Sequence, residues 1–432
     1  LGFWELWNEQ DLVRFDIPPT WTEDMARFLK ATDPYGRLVT TSYAGKHQAE
    51  VWKMDCIDLV QTHLYGDGGS IVDFPAKIGT ELHKWDAVPK PHLLAEFGID
   101  WRAPDGKYDP QGKGINFHNG LWSAVFDGAA GSGCIWWWDN YVGPKNLWGQ
   151  FAPLAKFTET VEWAKRDFRS VEAPVCGLSP DQPSTFDDLV LYPTAGWEKS
   201  RPESLVLGAD GRLSGKLPQF FFGPAKKDMA AKLTMAVDLA KGSKLTVRVA
   251  EVSASALLRV WVDNKPVADW PFSAAPGGAD QKSNKTTDPN KQHYFATFDV
   301  DRSVEIPAGR HTIAIDNVAG DWLKINSISL AGAMPSHARI RRHVLSDASS
   351  GQVIAWLHDV ESSWKNVEQA PRTFTGLMLR LPVPRGGAYQ VQWWDTYTGQ
   401  VIRTDDATAD GGFLRLGVPA LTRDLAASAT AR

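Results

Sequence analysis

The feature that most constrains this chain is a change of hydrophobic period part-way along it. Over residues 1–170, short apolar runs at 2–7, 38–42, 59–63, 92–96 and 133–138 alternate with stretches of helical spacing at 22–30, 73–85, 117–130 and 154–168. Such alternation predicts parallel strands with covering helices, because a parallel neighbour is reached only through a long crossover. Near-continuous apolar strands that end in polar residues suit a sheet buried on both faces.

Around 171–195 the text changes. Pro174, Pro180 and Pro183 punctuate a linker, and beyond it the apolar residues recur with period two, as in 244–251, 257–262, 294–300 and 310–316. Long polar stretches such as 274–291 separate these runs. A third segment repeats the pattern at 338–345, 352–358, 376–381 and 389–395. Short alternating strands with turn signals predict antiparallel sandwiches. Three domains follow: an α/β segment over 1–170, a linker and jelly-roll-like domain over 171–335, and a C-terminal β-sandwich over 336–432. A length of 432 residues supports two to four domains at roughly 150 residues each.

Composition narrows the class. The net charge is −5 with both signs interspersed, and no basic run is present. This argues against nucleic acid or a membrane surface as partner. No apolar run reaches the roughly 18 residues of a transmembrane helix. Cys56, Cys134 and Cys176 are too few and too scattered for a disulfide framework or a metal spacing, and the histidines do not cluster with carboxylates at metal-ligand spacing, so neither a catalytic metal nor another cofactor is expected. Twenty tryptophans are the outlier. Indole faces fill cores, and they also stack on the C–H patches of sugar rings, which offer no charge to grip.

Two glutamates end apolar strands: Glu9 after Trp7-Asn8, and Glu96 in Leu93-Leu94-Ala95-Glu96-Phe97-Gly98. Their separation of 87 residues fits three βα units, with strands ending near 9, 42, 63 and 96. In a parallel barrel the C-terminal strand ends carry the chemistry. Either glutamate alone reads as a helix cap or an exposed strand end. Together they form the pair glycoside hydrolysis requires, one carboxyl protonating the leaving oxygen and the other attacking the anomeric carbon or activating water.

These motifs resemble the second half of a clan A glycoside hydrolase barrel, most like family 5. The resemblance covers about 165 residues, with Asn8-Glu9, His63-Leu64-Tyr65, Glu96-Phe97-Gly98 and Trp136-Trp137-Trp138 in order. It implies a partial (β/α)8 TIM barrel, strands four to eight, with Glu9 as acid/base and Glu96 as nucleophile. It further implies that Tyr65 bonds the nucleophile, that His63 lines the substrate site, and that a tryptophan floors the subsite at the cleaved bond. Strand alternation puts Trp136 and Trp138 on one face; Trp138 is the expected floor and Trp137 the next choice. Asn8 would hold the sugar 2-hydroxyl. The family's arginine on strand two and histidine on strand three have no counterpart here.

The resulting expectation is a secreted or periplasmic retaining glycosidase acting on a β-linked polysaccharide or its oligosaccharides. The chain opens at Leu1 in the middle of a strand, so the first half of the barrel is expected to lie elsewhere, on the same native polypeptide or on another chain. A noncatalytic carbohydrate-binding protein, or a transglycosylase using the same glutamates, is the alternative. His118, Asn119 and Trp122 read as helix packing. Asp100, Trp101 and Arg102, His47 and Trp52, and Asp139, Asn140 and Tyr141 are weaker subsite candidates. The middle domain resembles a carbohydrate-binding module, with Trp261, Trp270 and Trp322 as possible platforms. The last domain resembles sandwiches attached to bacterial glycosidases, through Trp393-Trp394-Asp395-Thr396-Tyr397-Thr398-Gly399, and is expected to pack against the first segment.

Overall fold

The computed structural model describes residues 2–46, 48–193, 196–197, 203–208, 213–239, 241–288 and 293–432. His47 lies outside them. The chain forms two compact units. The first joins Leu1–Gly69 and Asp73–Ser179 to Ile340–Arg432; the second holds Ser70–Val72 and Pro180–Arg339.

In the first unit, five short strands and five helices alternate. The strands are β1 (Phe3–Glu5), β2 (Leu38–Thr40), β3 (Val60–Tyr65), β4 (His92–Gly98) and β5 (Gly131–Ile135). The helices are α1 (Pro19–Thr32), α2 (Ala49–Lys53), α3 (Phe74–His83), α4 (Ile115–Phe126) and α5 (Phe151–Thr158). Helix α1 starts with Pro19, whose missing N–H costs nothing there. Helix α3 is capped by Asp73, whose carboxylate accepts the Ala76 amide at 3.1 Å. Helix α4 is buried on every side, as its apolar composition requires.

The predicted partial barrel is not what forms. Strands β1 and β2 make a separate two-stranded parallel sheet, and β3, β4 and β5 a three-stranded one. Among the described residues, the contacts between the two sheets stop short of a ladder: one isolated bridge joins Tyr43 to Thr62, the Asp58 amide donates to the Val39 carbonyl at 2.8 Å, and the Thr40 hydroxyl donates to the Leu59 carbonyl at 2.9 Å. Overall the chain is 44% strand and 18% helix, distributed over several sheets. Strand–helix alternation is a local signal. It reports that neighbouring strands run parallel, but not that successive ladders join into one curved sheet.

The C-terminal part of the first unit is antiparallel. Its larger sheet runs Gln400–Ala409, Gly387–Asp395, Asp424–Ala431, Val353–Asp359, Ile340–Ser346 and Arg169–Ser170 in spatial order. A three-stranded sheet, Phe413–Gly417, Leu377–Pro382 and Gly177–Leu178, faces the same apolar core with Trp393, Tyr389 and Leu379 inside. This sandwich seals against the helices through polar pairs. His118 Nε2 lies 3.1 Å from Asp424 Oδ1, and the His118 ring stacks on Tyr397 at 4.1 Å. Asn119 donates to the Ser362 carbonyl at 2.7 Å, and Arg341 forks onto Asp73 with both contacts at 2.6 Å. His118 and Asn119 are therefore packing residues.

The second unit is built on two long bent strands, Ser243–Val262 and Gly309–Pro335, paired antiparallel with several register shifts. Such irregularities let one strand turn a corner and serve two faces. The strands Phe186–Leu191 and Gly309–Pro335 pair near the unit's ends, where the Thr185 hydroxyl donates to Ser336 Oγ at 2.8 Å.

Candidate active site

The segment after β1 is the first element of the site. The strand stops at Glu5, and the chain then bends so that Glu9 takes a left-handed backbone, φ 52° and ψ 60°. A side chain with a Cβ pays about 1–2 kcal/mol for this conformation. Ser42, just past β2, holds it in place. The Ser42 hydroxyl accepts the Glu9 amide at 2.9 Å and donates to Glu5 Oε1 at 2.6 Å. The Ser42 carbonyl accepts the Gln10 amide at 3.1 Å, and the Ser42 amide donates to the Trp7 carbonyl at 3.2 Å.

Glu96 is aimed by an irregularity in β4. The register against β3 runs Thr62 with Leu94, then His63 with Glu96, so Ala95 is the extra residue. On its other side Ala95 presses on β5. A Cβ added at Gly133 would sit 1.8 Å from the Ala95 carbonyl oxygen, so only glycine fits there. At the end of β4, Gly98 leaves room for the Tyr65 ring, 2.8 Å from where a Cβ would stand.

The two glutamates converge on His63. Its Nδ1 lies 2.9 Å from Glu9 Oε1 and 3.6 Å from Glu96 Oε2. The nearest donor atoms of Glu9, His63 and Glu96 all fall within 4.8 Å of one another. These three are also the group among the described residues whose donor atoms suit a metal ion. The Tyr65 hydroxyl donates to Glu96 Oε2 at 2.7 Å.

Burial pushes the Glu96 carboxyl above its ordinary value of 4.5, aided by the nearby charges of Glu9 and Glu5. His63 and the Tyr65 hydrogen bond oppose that rise without cancelling it. Tyr65 itself, buried beside Glu96, is held far above the phenol range and so remains a donor.

The cleft that opens on this cluster has a volume of about 430 Å³ and is lined by Asn8, Glu9, Leu12, Ala44, Tyr65, Glu96, Trp101 and Trp136. Its tryptophans are not the expected ones. After β5 the chain turns into a short 3-10 helix over Trp136–Trp138, so strand alternation does not apply. Trp136 reaches the cleft and is 52% exposed. Trp137 points back, donating from Nε1 to the Asp100 carbonyl at 3.0 Å. Trp138 is equally exposed but does not line the cleft. Trp52, weighed as a subsite residue, is buried in the core with Tyr43 and Trp85. Trp261, in the second unit, has Lys232 over its ring at 4.1 Å.

Sequence reasoning missed Ser42 and Glu5. A serine at a strand end carries no chemical signature of its own, and only the fold brings it under Glu9.

No family profile matches the sequence, and neither does any of the curated proteins. Among solved structures, the chain is similar to a cycloisomaltooligosaccharide glucanotransferase of Paenibacillus sp., with TM-score 0.31 and 10% identity over 96% of this chain and 59% of that one. It is also similar to the catalytic domain of a GH87 α-1,3-glucanase, with TM-score 0.17 and 13% identity over 39% of this chain and 29% of that one. Likenesses this slight define neither fold nor activity. The membership of clan A, family 5, that the motifs implied is corrected: the mainly β chain, with its parallel strands split between two sheets, is not a barrel of that family.

Proposed function

We propose that this chain cleaves glycosidic bonds by double displacement between Glu96 and Glu9. One observation carries the reading: the two carboxylates approach within 4.8 Å across His63. Retaining enzymes hold their carboxyls about 5–5.5 Å apart, whereas inverting ones leave roughly 6.5–9.5 Å for a water.

The hydrogen bonds suggest the roles. Glu96 accepts the Tyr65 hydroxyl, a bond that favours the carboxylate, so Glu96 is the nucleophile. It attacks the anomeric carbon while Glu9, as the acid, gives its proton to the departing oxygen. Glu9 then takes a proton from water, the water oxygen attacks the same carbon, and the Glu96 ester is released. His63 sits between the two carboxylates through both steps and holds their separation.

The spacing supports two displacements and carries no information on the anomer. The test is therefore a hydrolysis screen across α- and β-linked glycans, with the anomer of the first-formed product followed by NMR. Retention of configuration, abolished in Glu96→Gln, is the expected result. Inversion, or undiminished turnover by that variant, would sink the mechanism.

A further inference from the structure

We propose that Trp101 is a sugar-stacking platform of the cleft, and that Trp364, on the C-terminal sandwich, is the positioning residue that holds it there. The inference rests on the glycosidase reading and extends it to substrate length.

Trp101 follows β4 and lines the same cleft as Glu9, Glu96 and Trp136, yet stays 59% exposed. A large ring left in water gains nothing from the core. Its negative face is complementary to the C–H patch of a sugar ring. Glu9 and Glu96 serve the ring being cleaved, so a further aromatic platform serves a neighbouring ring. Such a cleft discriminates chains from single glycosides.

The backbone around Trp101 is fixed. Its amide donates to the Gly66 carbonyl at 3.2 Å. The preceding Asp100 is buried; its carboxylate accepts the Arg102 amide at 3.0 Å and the Tyr108 hydroxyl at 2.7 Å. Tyr108 packs edge-on against Trp364, with ring centroids 5.2 Å apart. Trp364 also closes over Gly69, where a Cβ would lie 2.9 Å from the indole and φ is +74°. The 66–69 loop carries both Gly66 and Asp67, and Asp67 pairs with Arg102, whose guanidinium lies 5.3 Å from the Trp101 ring centroid. Trp364 thus touches both loops whose hydrogen bonds hold Trp101.

The test compares kcat/KM for cellohexaose, mannohexaose, isomaltohexaose and maltohexaose with that for the matching 4-nitrophenyl monosaccharides, using the full chain. Trp101→Ala is expected to lower the hexaose-to-monosaccharide ratio about tenfold, the scale of one lost aromatic contact. Trp364→Ala is expected to shift the ratio in the same direction, with recovery in Trp364→Phe. Should Trp364→Ala fail to fold, Tyr108→Phe removes only the hydroxyl bonded to Asp100 and is expected to lower the ratio as well. Calorimetry of hexaose binding in the Glu96→Gln background isolates affinity from turnover. Equal hexaose affinity with and without Trp101 would overturn the platform. An effect of Trp101→Ala without any effect of Trp364→Ala or Tyr108→Phe would overturn the positioning role. Absence of Glu96-dependent hydrolysis on every substrate instead defeats the glycosidase reading, and the binding comparison still decides the platform.

Discussion

The backbone amide of Glu9 donates to the buried hydroxyl of Ser42, 33 residues away, at 2.9 Å. This bond pins a glutamate in a left-handed conformation that it would otherwise leave. Ser42→Ala removes the acceptor and strands a part-buried N–H, at a cost of about 1–3 kcal/mol. Glu9 then relaxes away from His63. The expected outcome is a fall in kcat of about tenfold with a smaller change in KM. Steady-state kinetics on the purified variant measure it, and an unaltered kcat would show that Glu9 needs no such clamp.

Activity must fail in acid as Glu96 takes up a proton. Burial raises that carboxyl, so the acid limb of kcat/KM against pH has its midpoint above 4.5. The Tyr65 hydroxyl favours the charged form. Tyr65→Phe is therefore expected to move the limb to still higher pH. A limb that stays put, or moves the other way, would show that Tyr65 does not stabilise the carboxylate.

Gly133→Ala forces a methyl group into the Ala95 carbonyl at 1.8 Å. Backbone must yield on one side or the other. A loss of about 2–4 kcal/mol in unfolding free energy is expected. Because Ala95 directly precedes Glu96, kcat is expected to drop even at temperatures where the variant stays folded. Urea unfolding and kinetics on the same preparation separate the two effects.

The seam between the helices and the C-terminal sandwich responds to pH through His358. Burial drops its pKa to about 4, and its Nε2 lies 3.3 Å from the Ser362 carbonyl. The unfolded chain binds a proton near 6.5, whereas the folded one refuses it until about 4. The associated stability is complete above 6.5 and drains away as pH falls to 4, by on the order of 3 kcal/mol. Asp105 has the opposite sign, since burial pushes it up to about 7 and its proton favours the fold as pH falls. The informative quantity is thus the difference between wild type and His358→Gln, which should change between pH 7 and 4 in favour of the variant. Parallel stability curves would refute it.

Much of the candidate site's geometry was legible because its motifs are local. Asn8-Glu9, His63-x-Tyr65 and Glu96 each sit at or just past a strand end, and the fold draws Glu9, His63 and Glu96 together. Glu9 is further from its strand than expected, for β1 stops at Glu5. The barrel was misread for a different reason. Whether β2 and β3 join is decided by ladder hydrogen bonds between them, and no residue in either strand announces that choice. The tryptophan run failed on period: three rings in a 3-10 turn point in directions that a strand does not allow, so Trp136 replaced Trp138 at the cleft. Trp364 was invisible in sequence, since its contact with Gly69 spans almost three hundred residues.

Residues Pro180–Arg339 enter and leave the structure between two stretches of chain that belong to one unit. The two ends are tied to each other at Thr185 and Ser336, and every residue lining the cleft lies outside them. In the order of the chain this makes Pro180–Arg339 an insert within the first unit. Helix α4 and the C-terminal sandwich that bonds to it through His118 and Asp424 therefore meet only after the chain has closed a long loop over this insert, a non-local pairing that slows folding.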